Sequence, residues 1–157
     1  MAYTTPMTAV TGATFTAAQY NTYVRDNDIA IYNMAIEPRY MGFLLNTTVA
    51  LSAGDDAVRF RIPSTLNGWR ISSVAASRKS GTGTPTIQIR NVTDTVDVLS
   101  TRLTIDSGET DSSTAATPAV INTSNDDVAT ADQFAWDVDV SGTSTLYAYT
   151  EITFAHP

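Results

Sequence analysis

Phe134-Ala-Trp136-Asp-Val138-Asp-Val140 is the stretch that decides the fold class. Phe134, Trp136, Val138 and Val140 take every second position, with Ala135, Asp137 and Asp139 between them. A period of two is that of a half-buried β-strand, because successive side chains point to opposite faces. The pattern predicts a core face of aromatics and valines and a solvent face of aspartates. Val58-Arg-Phe60-Arg-Ile62 and Thr86-Ile87-Gln-Ile89-Arg90 alternate in the same way. Leu146 to Phe154 closes the series, with Ala148, Thr150, Ile152 and Phe154 on one face. Further strands are expected at Thr47–Leu51, Ile71–Ala75, Val96–Leu99, Leu103–Ile105 and Ala119–Ile121. Turn clusters such as Ser52–Asp56, Asn67-Gly68, Ser107–Glu109, Asn125–Asp127 and Ser141–Thr143 separate them. About eight or nine short strands with no helices between them predict a mainly β chain, an antiparallel β-sandwich of jelly-roll-like form over residues 46–157.

Upstream the period changes. Thr16-Ala-Ala-Gln19 has the form of a capping box, flanked by Phe15 and Tyr20 where a hydrophobic staple would sit. Pro38 is the stop, since the residue before proline resists the α region. The helix is expected over about Ala17 to Ala35, within a helical segment of residues 16–37. Residues 1–15 precede it as an extended arm, with only Met1, Tyr3, Met7, Val10 and Phe15 as large apolar side chains. Ala17, Tyr20, Val24, Asn27, Ile31 and Met34 follow a 3-4-3-4-3 spacing, which is a heptad seam. Two readings of that stripe stay open. It can self-associate, with Asn27 as the polar residue that sets register and oligomer number, or it can pack on the chain's own β-domain.

The chain has 157 residues, 43% hydrophobic and 16% charged, and about one residue in six is Thr. Nine Lys and Arg against 16 Asp and Glu leave a net charge of −7. That balance argues against nucleic acid and against an anionic membrane as partners. Cysteine is absent, so thiolate chemistry and Cys-ligated metals are excluded. The single histidine, His156, makes a His-cluster metal site or a Ser-His-Asp triad improbable. Met1 to Pro6 has neither a basic nor an apolar leader pattern, and Met41–Leu45 is too short to cross a bilayer.

Few constellations carry chemistry. Asp106–Asp111 and Asn125–Asp127 offer oxygen ligands, without EF-hand spacing. Such loops more commonly bond their own backbone, so no metal and no cofactor is expected. Asp137 and Asp139 lie about 7 Å apart on one strand face, a spacing between the usual glycosidase separations. They fall on the polar face, where aspartates simply meet water, so no catalytic residue is assigned. Trp69, Tyr147 and Tyr149 are candidate exposed aromatics for glycan stacking or for burial against another subunit.

Phe15-Thr-Ala-Ala-Gln-Tyr-Asn-Thr-Tyr-Val-Arg-Asp-Asn27 resembles the T-A-x-x-W/Y-N-x-x-V-R-D-N segment of small structural proteins of tailed bacteriophages. Tyr20 takes the aromatic position, followed by Asn21, Val24, Arg25, Asp26 and Asn27. Phe60–Gly68, Ile87–Asp94 and Leu103–Thr110 are similar to β-rich segments of phage structural and tail-fibre-like proteins. The resemblance implies a non-enzymatic virion protein assembled in the host cytoplasm. It would be a homotrimeric surface spike, fibre or capsid decoration protein, anchored to other virion proteins through its N-terminal region. Tail and capsid locations stay open and differ in copy number per particle. The alternative is a carbohydrate-binding module that contacts host-surface polysaccharide.

Overall fold

The structure is a computed structural model that describes residues 16–25, 27 and 38–156. The chain divides into two compact units, Met1–Glu37 and Pro38–Pro157.

In the first unit the capping box forms. The Gln19 N–H donates to the Thr16 hydroxyl at 3.2 Å, and the Thr16 N–H donates to Gln19 Oε1 at 2.9 Å. The α-helix that it starts, α1, covers Ala17–Tyr20 and passes into a π-turn over Asn21–Arg25. This corrects the uniform α register expected over residues 16–37. A π-turn closes i→i+5 bonds, so side chains after it are rotated away from a 3.5-residue seam. Ala17 and Tyr20 are exposed, Val24 is half-buried and Asn27 is buried. Ile31, Met34 and the arm of residues 1–15 lie outside the described residues.

The second unit is mainly β, and all its ladders are antiparallel. It begins at Pro38 rather than at residue 46. The first strand, β1 (Arg39–Leu44), was not expected from the sequence. There follow β2 (Gly54–Arg61), β3 (Trp69–Ser77), β4 (Ser80–Thr82), β5 (Thr86–Asn91), β6 (Val96–Asp97), β7 (Leu99–Thr101), β8 (Leu103–Thr104) and β9 (Val120–Ile121). The last four are β10 (Asp127–Val128), β11 (Gln133–Val140), β12 (Thr143–Leu146) and β13 (Tyr149–Ala155). One sheet runs β1-β13-β3-β10 and a second runs β2-β11-β5-β6, with β8 added to β5. β12 pairs β4, and β7 pairs β9, as short separate ladders. Ranked in chain order, the eight strands on the two main paths lie as 1-8-3-6 and 2-7-4-5.

Both main sheets feed one core. Phe43 of β1 stacks on Phe60 of β2 at 4.4 Å between ring centroids, and Phe60 stacks on Phe134 of β11 at 5.7 Å. Phe43 also meets Trp136 at 6.1 Å. Ile62, Ile71, Ile87, Ile89, Ile152 and Phe154 are among the buried residues of the same cluster. Phe134, Trp136 and Val138 are buried as the alternation predicts.

The solvent face of β11 is not as expected. Ala135 and Asp137 are buried too, while Val140 is half exposed. β11 is a central strand, and Ala135 faces Arg59 of β2 and Arg90 of β5 across the two ladders. Those long side chains leave little water over a small alanine. Val140 falls past the end of the β2 pairing, which stops at Val138, and pairs only with Thr86 of β5 among the described residues.

Thr47–Leu51 is a loop, not a strand. Asn46 is the reason. Its Nδ2 donates to the carbonyls of Val49 and Thr145, and its Oδ1 accepts from the Ala148 N–H, all at 2.7 Å. The side chain takes up backbone groups that a ladder would have used, and bends the chain over β12.

Candidate interaction surface

The surface starts from β13, where burial alternates strictly at its start. Thr150, Ile152 and Phe154 are buried, while Tyr149 and Glu151 are exposed. The register carries this alternation to both neighbours. Leu44, Tyr149 and Ser77 form one outward row, Gly42, Glu151 and Ala75 the next, and Tyr40, Thr153 and Ser73 the third. The result is a sheet face with a floor of small side chains. Tyr40, Leu44 and Tyr149 stand on it with 71%, 48% and 40% of their surfaces exposed.

Tyr149 leans over Gly42, the one position in β1 without a side chain. On its other side a small cleft of about 120 Å³ opens, lined by Ala75, Ala76, Ser77, Asp111, Tyr149 and Glu151. Asp111 reaches the cleft through an isolated bridge between Ser77 and Asp111. The Asp111 carboxylate caps a 3-10 turn by accepting the Ser113 N–H at 2.7 Å. Hydrogen bonds from Ser113 hold its carboxyl below the usual carboxylate range. Among the described residues no cationic side chain lines the cleft.

The three aromatics expected to be exposed are not brought together. Tyr149 is on the outward face. Tyr147 lies in the bend before β13 with a left-handed backbone (φ 52°), its ring 5.0 Å below the Lys79 ammonium. Trp69 is 7% exposed and meets His156 edge-on at 5.7 Å, so it offers no stacking platform. Its position opposite Val128, at the narrow β3–β10 pairing, turns it into the core with Ile71. Tyr40 and Leu44 were missed in the sequence. Their signal was present: in Arg-Tyr-Met-Gly-Phe-Leu, Met41 and Phe43 face the core and Tyr40 and Leu44 face out.

Of the carboxylates flagged for metal or catalysis, Asp106, Glu109, Asp111, Asp137 and Asp139 have structural partners. Asp137 accepts from Arg90 Nε at 2.7 Å, Arg90 Nη2 at 3.2 Å and the Asp56 N–H at 2.7 Å. Burial by itself pushes the Asp137 carboxyl up, but these bonds outweigh it and hold it below its usual value. Asp139 pairs with Arg102 instead. The two neighbours on β11 therefore do not share a site. Asp106 accepts the Ala116 N–H, Glu109 accepts the Thr114 hydroxyl, and the Asn125 amide donates to the Asp97 carbonyl. Among the described residues no group of three or more His, Cys, Asp or Glu side chains is placed to hold a metal ion.

Comparison with protein-family models, with curated proteins and with solved structures finds no match for the chain.

Proposed function

We propose that the chain is a non-enzymatic structural protein of a tailed-bacteriophage virion. In this reading the β-unit is an eight-stranded jelly-roll sandwich that projects from the particle, associates as a homotrimer and is anchored to other virion proteins through residues 1–37. The strand order carries the reading. An order of 1-8-3-6 over 2-7-4-5 is that of two Greek keys folded into a double-sheet jelly roll, an architecture of viral capsid and lectin domains. A fold hosts many functions. The phage-type segment Phe15–Asn27 and the exposed aromatic sheet face favour the assembly role over others.

Two measurements test it. Light scattering on the purified protein at micromolar concentration should give the mass of three chains; a stable monomer overturns the trimer. Deleting Met1 to Ala13 should leave the melting temperature unchanged and abolish incorporation into particles that lack the native protein. Normal incorporation would place the anchor elsewhere.

Tyr40 and Tyr149 also favour a second reading, a carbohydrate-binding module, because exposed rings on a flat sheet face can stack on sugars. It predicts that the isolated protein binds host-surface polysaccharide and that Tyr149→Ala abolishes the binding.

A further inference from the structure

We propose that the sheet edge formed by β1 and β2 of one copy docks on the outward β1-β13-β3 face of the next, with Arg39 entering the cleft between Tyr149, Glu151 and Asp111. The inference rests on the homotrimer reading and names the contact that closes it.

The cleft selects the ligand chemistry. It presents two carboxylates, a hydroxyl and an aromatic ring, with no cation. Among the described residues no hydrogen bond or ion pair engages the Glu151 side chain, which stands between Gly42 and Ala75 in the middle of the face. A guanidinium fits this set better than any other side chain. It pairs with a carboxylate in two parallel hydrogen bonds and stacks on an aromatic face.

The chain itself is rich in that group, with eight arginines against the single Lys79. Arg25 lies in the first unit, Arg59, Arg90 and Arg102 are committed to aspartates, and Arg78 to backbone carbonyls. Arg39, Arg61 and Arg70 are exposed, and none makes an ion pair with a described residue. Arg70 lies on β3, in the same sheet face as Glu151, so its pairing with Glu151 of another copy would be isologous and would give a dimer. Arg39 opens β1, which ends its sheet, and the Phe43–Phe60 stack places β1 beside β2, which ends the other. Edge onto face is a heterologous contact, the kind that closes a ring of three. Arg39 shares strand parity with Met41 and Phe43, so it emerges between the two sheet edges, whereas Arg61 follows Phe60 on the outer side of β2. The same contact would cover two features that folded chains seldom leave bare. One is a sheet edge that no described strand pairs, and the other is the apolar surface of Tyr40 and Leu44.

The test is a charge-reversal series on the full chain, with mass by light scattering and folding checked by circular dichroism. Glu151 is exposed, so Glu151→Arg should melt like the wild type. The expected result is a trimer for the wild type and a trimer dissociation constant raised at least about 30-fold for Glu151→Arg. Adding Arg39→Glu to Glu151→Arg should restore the trimer, and adding Arg61→Glu should not. A wild-type monomer overturns the trimer reading itself. A wild-type trimer that persists in Glu151→Arg overturns the cleft contact and leaves the trimer standing. Failure of Arg39→Glu to restore, or restoration by Arg61→Glu, overturns the role of Arg39.

Discussion

The phenol of Tyr149 occupies the space that a side chain at Gly42 would need. A Cβ built on Gly42 would fall 1.6 Å from the Tyr149 hydroxyl oxygen and 2.5 Å from Cζ. The two residues are diagonal neighbours on adjacent strands, since Gly42 faces Glu151 and Leu44 faces Tyr149. The glycine therefore sets where the tyrosine ring rests, and with it the wall of the Asp111–Glu151 cleft.

Gly42→Ala should swing Tyr149 off the sheet at little cost to folding. The obstacle is the far end of one flexible side chain, and alanine suits a strand slightly better than glycine. Unfolding free energy should change by less than about 1 kcal/mol. The near-ultraviolet circular dichroism of tyrosine should change, and trimer association should weaken. A trimer as stable as the wild type would show that the ring position does not matter for association.

Trp136 tests the core. It is fully buried beside the Phe43 ring, and its indole N–H has no hydrogen-bond partner among the described residues. Trp136→Ala should cost about 3–5 kcal/mol in denaturant unfolding. Trp136→Phe loses volume but no hydrogen bond, so it should cost about half as much or less. Equal losses for the two variants would show that the indole nitrogen has a partner after all.

Arg78 is 3% exposed and donates to the carbonyls of Glu109, Gly83 and Asp106 at 2.9, 3.1 and 3.0 Å. One guanidinium thus ties the loop after β4 to the loop after β8. Arg78→Met should leave the Glu109 and Gly83 carbonyls without this donor, while Asp106 keeps the Glu109 N–H, and should cost about 3 kcal/mol. Arg78→Lys cannot reproduce a planar fork with donors in three directions and should recover only part of that. Hydrogen exchange should speed up first at residues 106–111; a uniform increase over the whole domain would point to a global role instead.

Asp137 should make part of the stability depend on acid. Its folded-state pKa lies below the unfolded value of about 3.9. The contribution is then complete above about pH 4 and is lost as pH falls through the folded value. Asp137→Asn should cost about 2 kcal/mol at neutral pH, less than for a fully buried pair because the Arg90 side chain is a quarter exposed. Below pH 3 the gap between variant and wild type should narrow. A constant gap from pH 7 to pH 2 would refute the ionised pair.

The strands with strict alternation were legible because each has one face on the core and one facing water. Val58–Ile62 and Thr150–Phe154 are of this kind. Asp137 was misplaced because a central strand can be covered on both faces, and its partners are the Arg90 guanidinium and the Asp56 N–H, on neighbouring strands far away in sequence. Residues 47–51 read as a strand from the sequence. They became a loop because Asn46 bonds to Thr145 and Ala148, about a hundred positions on.

The sequence by itself determined a β-rich unit after Pro38, a capped helix start at Thr16 and a Trp136 buried with Phe134. These follow from local period and local hydrogen bonding, which adjacent residues settle among themselves. Only the tertiary structure decided the strand order, the burial of Trp69 and Asp137, and the assembly of Tyr40, Leu44, Tyr149, Glu151 and Asp111 on one surface. Those outcomes depend on which strands become neighbours, a choice made by long-range pairing and shared core packing rather than by any one segment.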